Sequence, residues 1–186
     1  MNIGIFGGAF NPIHFGHLIL AQSAKEEYLL DKVLFVVSVN PPHKDSINVS
    51  FEDRFNMVSL AVKDNSVFEV SDIEKEIEGP SYTYYVLQKI KDKYVDNNYF
   101  LIIGQDEANY FDKWFKYEEI LKMCKVIVGA RETDLPPNNL SFDYITMPNI
   151  DISSSDLREK IKNNKSVLYF MPDTVAFYIN NKDLYR

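Results

Sequence analysis

The sequence predicts an α/β fold: one domain built on a doubly wound, mostly parallel sheet with flanking helices. Short apolar runs alternate along the chain with segments of helical periodicity, and the links between them are short. Nothing divides the 186 residues, since they contain no internal repeat, no low-complexity tract and no linker rich in Pro, Gly or Ser. We therefore expect a single domain over residues 1–186, with a C-terminal helical part from about residue 150 to 186.

Six short runs rich in β-branched and aromatic residues are typical of strands buried on both faces of a sheet. They are Asn2–Phe6, Val33–Ser38, Phe68–Ser71, Tyr99–Ile103, Lys125–Gly129 and Tyr144–Met147.

Six helical patterns lie between and after these runs, several of them with a cap or a breaker at the start, such as Ser50 or Pro172. They are Gly16–Leu30, Phe51–Lys63, Thr83–Tyr94, Tyr117–Met123, Ser154–Asn163 and Pro172–Asn181. The alternation predicts a Rossmann-like sheet, in which ligands bind beyond the carboxyl ends of the strands. The loops that directly follow strands are therefore where we expect chemistry.

The composition narrows the class of protein. A net charge of −7 argues against a nucleic-acid surface, and no apolar stretch approaches the ~20 residues that span a bilayer. The N-terminus, MNIGIFGG, is not typical of a signal peptide. The single cysteine, Cys124, excludes an internal disulfide, and its apolar surroundings are typical of a small buried side chain. We expect a cytoplasmic protein with no membrane or nucleic-acid partner; a homo-oligomer stays open.

The loop after the first predicted strand, GGAFNPIHFGH, carries the clearest chemical signal. Gly7 and Gly8 permit a tight turn and the close approach of a ligand, and His14 and His17 stand at the mouth of the next helix. Free N–H groups at a helix start favour a phosphate, and two imidazoles beside them can donate to phosphoryl oxygens. The alternative is a glycine turn with two capping histidines.

The third histidine, His43, follows the second predicted strand, so all three histidines fall on the predicted ligand side. Metal binding by this trio is a less favoured alternative, because no carboxylate or cysteine lies at the usual ligand spacing.

Two arginines, like the histidines, lie where we expect the ligand to bind. Arg131 directly follows the fifth predicted strand, and Arg158 comes one turn into a helix that the segment Ser153–Ser155 can cap. This second anion site would suit a triphosphate, although an ordinary capped helix with a surface arginine is favoured for this motif alone. For Arg54 we expect a pair with a neighbouring acid on its helix.

Three further loops are ambiguous. The segment Gly79–Thr83, GPSYT, offers backbone amides that would hold a carboxylate, or it is a plain turn and cap. Trp114, the only tryptophan, is either a core residue or a platform for a heteroaromatic ring. Asp106, in the segment Gly104–Asp106, could accept hydrogen bonds from a ribose, help to order a cation or cap a helix.

Taken together, the motifs GIFGGAFNPIHFGHL, PPHK, DRFNM, GPSYT, IIGQDEANYFDKWFKYEEI and ISSSDLR resemble the bacterial nicotinate-nucleotide adenylyltransferases, of the nucleotidyltransferase superfamily with an HxGH motif. The resemblance covers nearly the whole chain, including the ending YINNKDLYR. Ala9 and Asn11 replace the more usual Thr and Asp, Val37-Ser38 replace Pro-Asn, and Ser155 replaces a Thr.

The resemblance implies transfer of AMP from ATP to nicotinate mononucleotide, with release of pyrophosphate, in NAD biosynthesis, and with Mg²⁺ carried by the ATP phosphates. It assigns the catalytic roles to His14, His17 and Arg158. The implied ATP-binding residues are Gly7, Gly8, Ala9, Phe10, His14, His17, Gly104, Asp106, Arg131, Ser154, Ser155 and Arg158. The implied mononucleotide-binding residues are Lys44, Ser81, Tyr82, Thr83 and Trp114. Trp114 would stack on the nicotinate ring, and the Tyr82–Thr83 backbone would take its carboxylate.

Three alternatives remain from the sequence. An adenylyltransferase for phosphopantetheine would leave GPSYT and Trp114 without a role, and one for nicotinamide mononucleotide would differ by an amide for a carboxylate. A regulatory nucleotide-binding protein without turnover is disfavoured by the presence of both His17 and Arg158.

Overall fold

The computed structural model describes residues 1–40, 49–130, 140, 142–148 and 150–186, except for the side chains of residues 130 and 146. Lys44, His43 and Arg131 therefore lie outside the described residues.

In the described part of the chain six strands form one sheet, and all are parallel where the sequence predicted a mostly parallel sheet. They are β1 (Asn2–Gly8), β2 (Lys32–Val37), β3 (Phe68–Ser71), β4 (Asn98–Gly104), β5 (Lys125–Ala130) and β6 (Asp143–Thr146), in the order β3-β2-β1-β4-β5-β6. The chain starts in the middle of the sheet, builds one half and then crosses back at β4. The carboxyl ends of β1 and β4 thus form the topological switch point, where doubly wound sheets bind ligands.

Within the described residues, seven α-helices accompany the strands. They are α1 (Phe15–Glu27), α2 (Phe51–Val62), α3 (Thr83–Lys93), α4 (Gln105–Asn109), α5 (Tyr117–Met123), α6 (Ser154–Lys162) and α7 (Asp173–Asn181). All six predicted helices are confirmed, with ends displaced by a few residues. Short 3₁₀ turns at Ile73–Glu76 and Phe111–Lys113, like α4, were not predicted. They are shorter than the window over which helical periodicity can be detected.

Two apolar layers cover the two faces of the sheet. Along β2, Val33, Phe35 and Val37 face one layer, whereas Leu34 and Val36 face the other. The first layer contains residues of α1, α2, α6 and α7, and the second those of α3 and α5. Strands buried on both faces explain why their sequences are continuously apolar rather than alternating.

Cys124 has no disulfide partner and is buried beside α5, as the sequence predicts. Burial raises the pKa of its thiol to about 12, so the side chain stays a neutral thiol. None of the helices in the described parts of the chain combines the length and apolar content needed to cross a membrane.

Candidate active site

Two cavities meet at the switch point of the sheet. The larger has a volume of about 1120 Å³ and the smaller of about 350 Å³. Both are lined by Phe6, Gly7, Gly8, Ala9, Gly104, Asp106 and Glu107. The shared rim therefore consists of the end of β1 with the loop after it, and the end of β4 with the start of α4.

All described residues that were predicted to bind ATP line the larger cavity. These are Gly7, Gly8, Ala9, Phe10, His14, His17, Gly104, Asp106, Ser154, Ser155 and Arg158. The described residues that were predicted to bind the mononucleotide line the smaller cavity: Ser81, Tyr82, Thr83 and Trp114.

The two histidines lie against each other at the start of α1, with ring centres 3.8 Å apart. The backbone N–H of His14 donates to Nδ1 of His17 over 3.2 Å, which places the proton of a neutral His17 ring on Nε2. His14 itself is buried, and burial lowers its pKa to about 4. At neutral pH His14 is therefore an uncharged ring that supports His17.

In the loop after β1, the main chain is accessible at Gly7 but packed against a side chain at Gly8. A Cβ at Gly7 would meet no atom within 4 Å, whereas one at Gly8 would lie 3.1 Å from the ring of Phe10. Phe10 has a φ of 46° and buries its ring among Phe6 and Phe35. A ligand can therefore approach the main chain at Gly7, while the Phe10 side chain belongs to the core.

Arg158 and Ser154 hold the loop that contains Asn11 and Pro12. The Nη1 atom of Arg158 donates to the carbonyl of Asn11 over 2.8 Å, and Nη2 lies 3.2 Å from Oγ of Ser155. Ser154 donates its hydroxyl to the carbonyl of Pro12 over 2.9 Å. In this arrangement the Ser154 hydroxyl is not a free donor for a phosphate, so that part of the assignment shifts to the N–H groups at the start of α6.

Ser153 caps α6, as predicted, by accepting from the N–H of Asp156 over 3.1 Å. The surface-arginine alternative for Arg158 is not supported, because its guanidinium is partly buried and bonded to a loop 147 residues earlier in the chain.

The GPSYT loop offers fewer backbone donors than the sequence indicated. The N–H of Tyr82 donates to the carbonyl of Pro80 over 2.8 Å, and that of Ser81 points to the carbonyl of Asn40 over 3.4 Å. The Tyr82 amide is thus engaged within the turn. Thr83 begins α3, and its N–H has no partner inside the helix. A carboxylate at this loop would therefore be held from the start of α3.

Trp114 is half-buried, with its ring centre 4.9 Å from that of Phe111, and it lines the smaller cavity. Phe115, its neighbour, stacks on Tyr82 with ring centres 4.8 Å apart and planes 23° apart. One side of the smaller cavity is thereby walled by aromatic rings, which suits a flat heteroaromatic group.

Gly104 is the N-cap of α4, and Asp106 is an exposed residue of the first turn of that helix. The cap alternative for Asp106 is therefore wrong. Asp106 lines both cavities, and a carboxylate there can accept hydrogen bonds from a sugar.

Three residues of the site were missed by sequence reasoning. Arg54 is not paired with an acid on its helix: it is buried and donates Nη1 to the carbonyl of Ala9 over 2.8 Å. Glu74 lines the smaller cavity and is buried. Tyr185 donates its hydroxyl to Oδ1 of Asn11 over 2.7 Å, and burial raises its pKa.

A signal for Arg54 was present, since Met57, Val58 and Val62 share its buried helix face at spacings of three, four and eight. The histidine-trio metal site includes His43 and so lies outside the described residues. Among the residues that the structure describes, no group of three His, Cys, Asp or Glu side chains could hold a metal ion.

Comparisons with known proteins agree on one family. The family model described as cytidylyltransferase-like matches residues 5–160. A Lactiplantibacillus plantarum protein is 40% identical over 99% of this chain and 88% of its own, and a Caldicellulosiruptor saccharolyticus protein is 40% identical over the full length of both. Both are named "probable nicotinate-nucleotide adenylyltransferase".

Solved structures show the same fold. A Vibrio parahaemolyticus crystal structure that bears a nicotinate-nucleotide adenylyltransferase name has a TM-score of 0.76 at 27% identity, covering 100% of this chain and 95% of that one. A Plasmodium falciparum nicotinic acid mononucleotide adenylyltransferase in complex with NaAD has a TM-score of 0.83 at 20% identity, covering 99% and 97%.

Proposed function

The chain belongs to the nicotinate-nucleotide adenylyltransferases, within the cytidylyltransferase-like family, and we propose that its two cavities hold the two substrates of that reaction. The enzyme transfers AMP from ATP to nicotinate mononucleotide, giving nicotinate adenine dinucleotide and pyrophosphate in NAD biosynthesis. ATP occupies the larger cavity and nicotinate mononucleotide the smaller.

The observation that carries this assignment is the shared rim. Two substrates that react must bring their phosphates together, and the two cavities meet at Gly7–Ala9 and Gly104–Glu107. The cavity volumes support the same assignment of substrates, because the larger cavity suits the triphosphate nucleotide. The smaller, with its aromatic wall, suits a mononucleotide with a pyridine ring.

The chemistry needs no side-chain nucleophile. An oxygen of the mononucleotide 5′-phosphate, already anionic, forms a bond to the α-phosphorus of ATP, and the bond from that phosphorus to the β-phosphate oxygen breaks. Pyrophosphate leaves with the electron pair. Catalysis then consists of alignment of the two phosphates and stabilisation of charge on the transferring group and the leaving group.

His17, Arg158 and two helix starts supply that stabilisation. The Nε2–H of His17 donates to a phosphoryl oxygen, while His14, neutral and buried, fixes the ring of His17. Arg158, together with the hydroxyl of Ser155 and the first N–H groups of α6, binds the β- and γ-phosphates. Gly104 and Asp106 lie against the nucleoside.

In the smaller cavity, Trp114 stacks on the nicotinate ring and the start of α3 at Thr83, with Ser81 and Tyr82, receives its carboxylate. Lys44 and Arg131 are proposed to neutralise phosphates of the substrates, as the family pattern implies.

Enzymes of this family use a divalent metal ion with ATP. We assign Mg²⁺, brought as the ATP complex, because phosphate oxygens with one carboxylate satisfy its preference for hard oxygen ligands. Asp106, exposed at the rim, is the side chain placed to reach that complex. Bound there, Mg²⁺ would neutralise charge on the triphosphate and on the pyrophosphate that leaves.

We also propose that residues 1–186 act as one nucleotidyltransferase domain in the cytoplasm and bind no nucleic acid. The contacts of α7 with α2 support the inclusion of the C-terminal part, and the net charge of −7 supports the last point.

Pyrophosphate release tests the assignment. Purified protein with Mg²⁺ and ATP should release pyrophosphate with nicotinate mononucleotide and form the dinucleotide, detected by mass. Phosphopantetheine should give no release above background, because it has no ring for Trp114 and no carboxylate for α3. Turnover with phosphopantetheine alone would contradict the assignment.

A further inference from the structure

The rim between the two cavities is built from separate parts of the chain. The loop after β1 borders the larger cavity, while GPSYT and the end of β2 border the smaller. AMP transfer requires these parts to keep a fixed separation, because a misplacement of about 1 Å can cost on the order of 10²-fold in rate. Something in the interior must therefore connect them.

One end of that connection is Arg54, on α2. Its side chain is 2% exposed, the largest fully buried side chain in the described part of the protein. Its Nη1 atom donates to the carbonyl of Ala9 over 2.8 Å. Arg54 therefore holds the main chain of the loop on the ATP side. The neighbouring Nε is buried and has no hydrogen-bond partner among the described residues. A buried charge that is only partly hydrogen-bonded is costly, so its charge needs a counterion nearby.

The other end is Glu74, in the 3₁₀ turn Ile73–Glu76. Its side chain is 5% exposed, and Oε2 accepts from the N–H of Val39 over 2.9 Å. The hydroxyls of Ser81 and Ser38 also stabilise its carboxylate. Ser81 is itself tied to the end of β2, accepting at Oγ from the N–H of Asn40 over 3.0 Å. Glu74 thus gathers the parts of the chain that border the smaller cavity.

Arg54 and Glu74 are not in direct contact, since no hydrogen bond or ion pair joins their side chains, and their opposite charges attract each other across the interior. Burial lowers the pKa of Arg54, an effect that Tyr185, Glu74 and Glu52 oppose. Burial raises the pKa of Glu74, an effect that its hydrogen bonds and the charge of Arg54 oppose. A third link closes the arrangement, because the N–H of Ser38 donates to the carbonyl of Gly8 over 2.9 Å. The main chain from Gly8 to Ala9 is therefore held on both sides, by Arg54 and by the end of β2.

We propose that Arg54 and Glu74 are a buried pair of opposite charges, here called the bridge, that sets the separation of the ATP-side and mononucleotide-side loops through the hydrogen bonds that each makes to the main chain, and that both are positioning residues for AMP transfer. This rests on the proposed function of the two cavities. Neither residue reaches the reacting phosphates. Their effect passes through Ala9 on one side and through Val39 and Ser81 on the other.

The bridge predicts a particular kinetic pattern. When the bridge is removed, Ser38 and Arg158 still hold the ATP-side loop and the hydrogen bond between Asn40 and Ser81 still holds the mononucleotide side, so each substrate still binds alone. What is lost is the alignment of the two phosphates. The turnover number kcat should fall, while the KM for ATP and the KM for nicotinate mononucleotide should stay within a factor of a few.

The test compares Glu74→Gln, Arg54→Met and Arg54→Lys with the unaltered enzyme by steady-state kinetics of pyrophosphate release. Gln keeps an oxygen for the N–H of Val39 and removes only the charge, and Met removes both charge and donor. For these two variants we expect kcat to fall on the order of 10- to 10²-fold. Arg54→Lys, which keeps the charge, should recover part of the loss seen with Met.

The double variant Arg54→Met with Glu74→Gln separates a bridge from two independent effects. If the residues act as one unit, its kcat falls no further than that of the worse single variant. Tyr178→Phe is the matched control: it removes a 2.8 Å hydrogen bond to Asp53, next to Arg54 on α2, outside both cavities. It should lower the melting temperature and leave kcat unchanged.

The bridge is overturned if folded Glu74→Gln keeps a normal kcat, if only one KM rises in step with the loss, or if the two losses multiply in the double variant. Should Arg54→Met fail to fold, Glu74→Gln and Arg54→Lys still carry the comparison. Activity of the unaltered protein tests the proposed function, and the ratio of variant to unaltered kcat tests the bridge, so the two can fail separately.

Discussion

The backbone N–H of His14 donates to Nδ1 of His17 over 3.2 Å, and the two rings lie with their centres 3.8 Å apart. This contact gives the two histidines of the motif different tasks. His17 accepts at Nδ1, so a neutral ring carries its proton on Nε2, and the residue lines the larger cavity. His14 is the buried partner whose main chain fixes that orientation.

His17→Ala should therefore lower kcat by about 10²-fold or more, because one preorganised donor to a developing charge is typically of that size. The measurement is pyrophosphate release at saturating ATP and nicotinate mononucleotide. Ser23→Ala, on the same helix and outside both cavities, is the control and should keep full activity. Near-normal turnover of folded His17→Ala would remove His17 from the mechanism.

The lowered pKa of His14 predicts that the stability of the folded protein depends on pH. Its pKa is about 4 in the folded protein against 6.5 as the ordinary value, so between these values the unfolded chain binds more protons. Stability from this group is therefore full above pH 6.5 and is lost as the pH falls toward 4, by about 3 kcal/mol at most.

Urea unfolding of the unaltered protein and of His14→Gln, from pH 7 to pH 4.5, measures this contribution as a difference. The free energy of unfolding of the unaltered protein should fall more steeply with decreasing pH than that of the variant, whatever their offset at pH 7. Parallel curves would show that His14 does not become buried as a neutral ring.

Arg158→Ala should weaken ATP binding far more than nicotinate mononucleotide binding. The guanidinium borders the larger cavity and also holds the carbonyl of Asn11 over 2.8 Å, so its loss removes a phosphate partner and loosens the loop. Calorimetric titration with each ligand alone gives the comparison. Lys160→Ala removes a positive charge from the same helix outside the cavities and should change neither affinity. Equal weakening of both ligands by Arg158→Ala would refute its assignment to the outer phosphates.

The sequence was sufficient for the sheet and for the location of the site. Strands buried on both faces have continuous apolar runs, and the ligand side of a parallel sheet follows from topology alone. Consequently, the histidine loop, the serine–arginine helix and GPSYT could all be assigned to one edge of the sheet from the amino-acid pattern alone. The five residues of α4 were missed because a single turn and a half carries no detectable period.

Side-chain partners far apart in sequence were the part that could not be predicted. The hydroxyl of Ser154 bonds to the carbonyl of Pro12, 142 residues earlier, and no local pattern shows that contact. Arg54 was misassigned for a different reason: its acidic neighbours, Asp53 and Glu52, are one and two residues away, and side chains at those spacings do not face each other on a helix. Its spacing to Met57 and Val58 was the better guide.

The last prediction concerns the choice between an acid and an amide. At the start of α3 the N–H of Thr83 has no helical partner, whereas the N–H of Tyr82 is already bonded to Pro80. A carboxylate there gains charge-assisted hydrogen bonds and a favourable interaction with the helix start. A carboxamide would turn its own N–H₂ donors toward N–H donors and leave buried groups unpaired.

Polar complementarity of this kind rejects a wrong analogue far better than an apolar pocket does, so we expect kcat/KM for nicotinate mononucleotide to exceed that for the nicotinamide form by at least ~10²-fold. Trp114→Ala should lower kcat/KM for both forms by a similar factor, because ring stacking does not distinguish acid from amide. The ratio between the two substrates, measured in the unaltered enzyme and in Trp114→Ala, therefore separates the two contributions. Equal use of both mononucleotides by the unaltered enzyme would refute the carboxylate site at α3. If the ratio of kcat/KM for the acid to that for the amide falls to about one in Trp114→Ala, the aromatic wall rather than Thr83 distinguishes the two substrates.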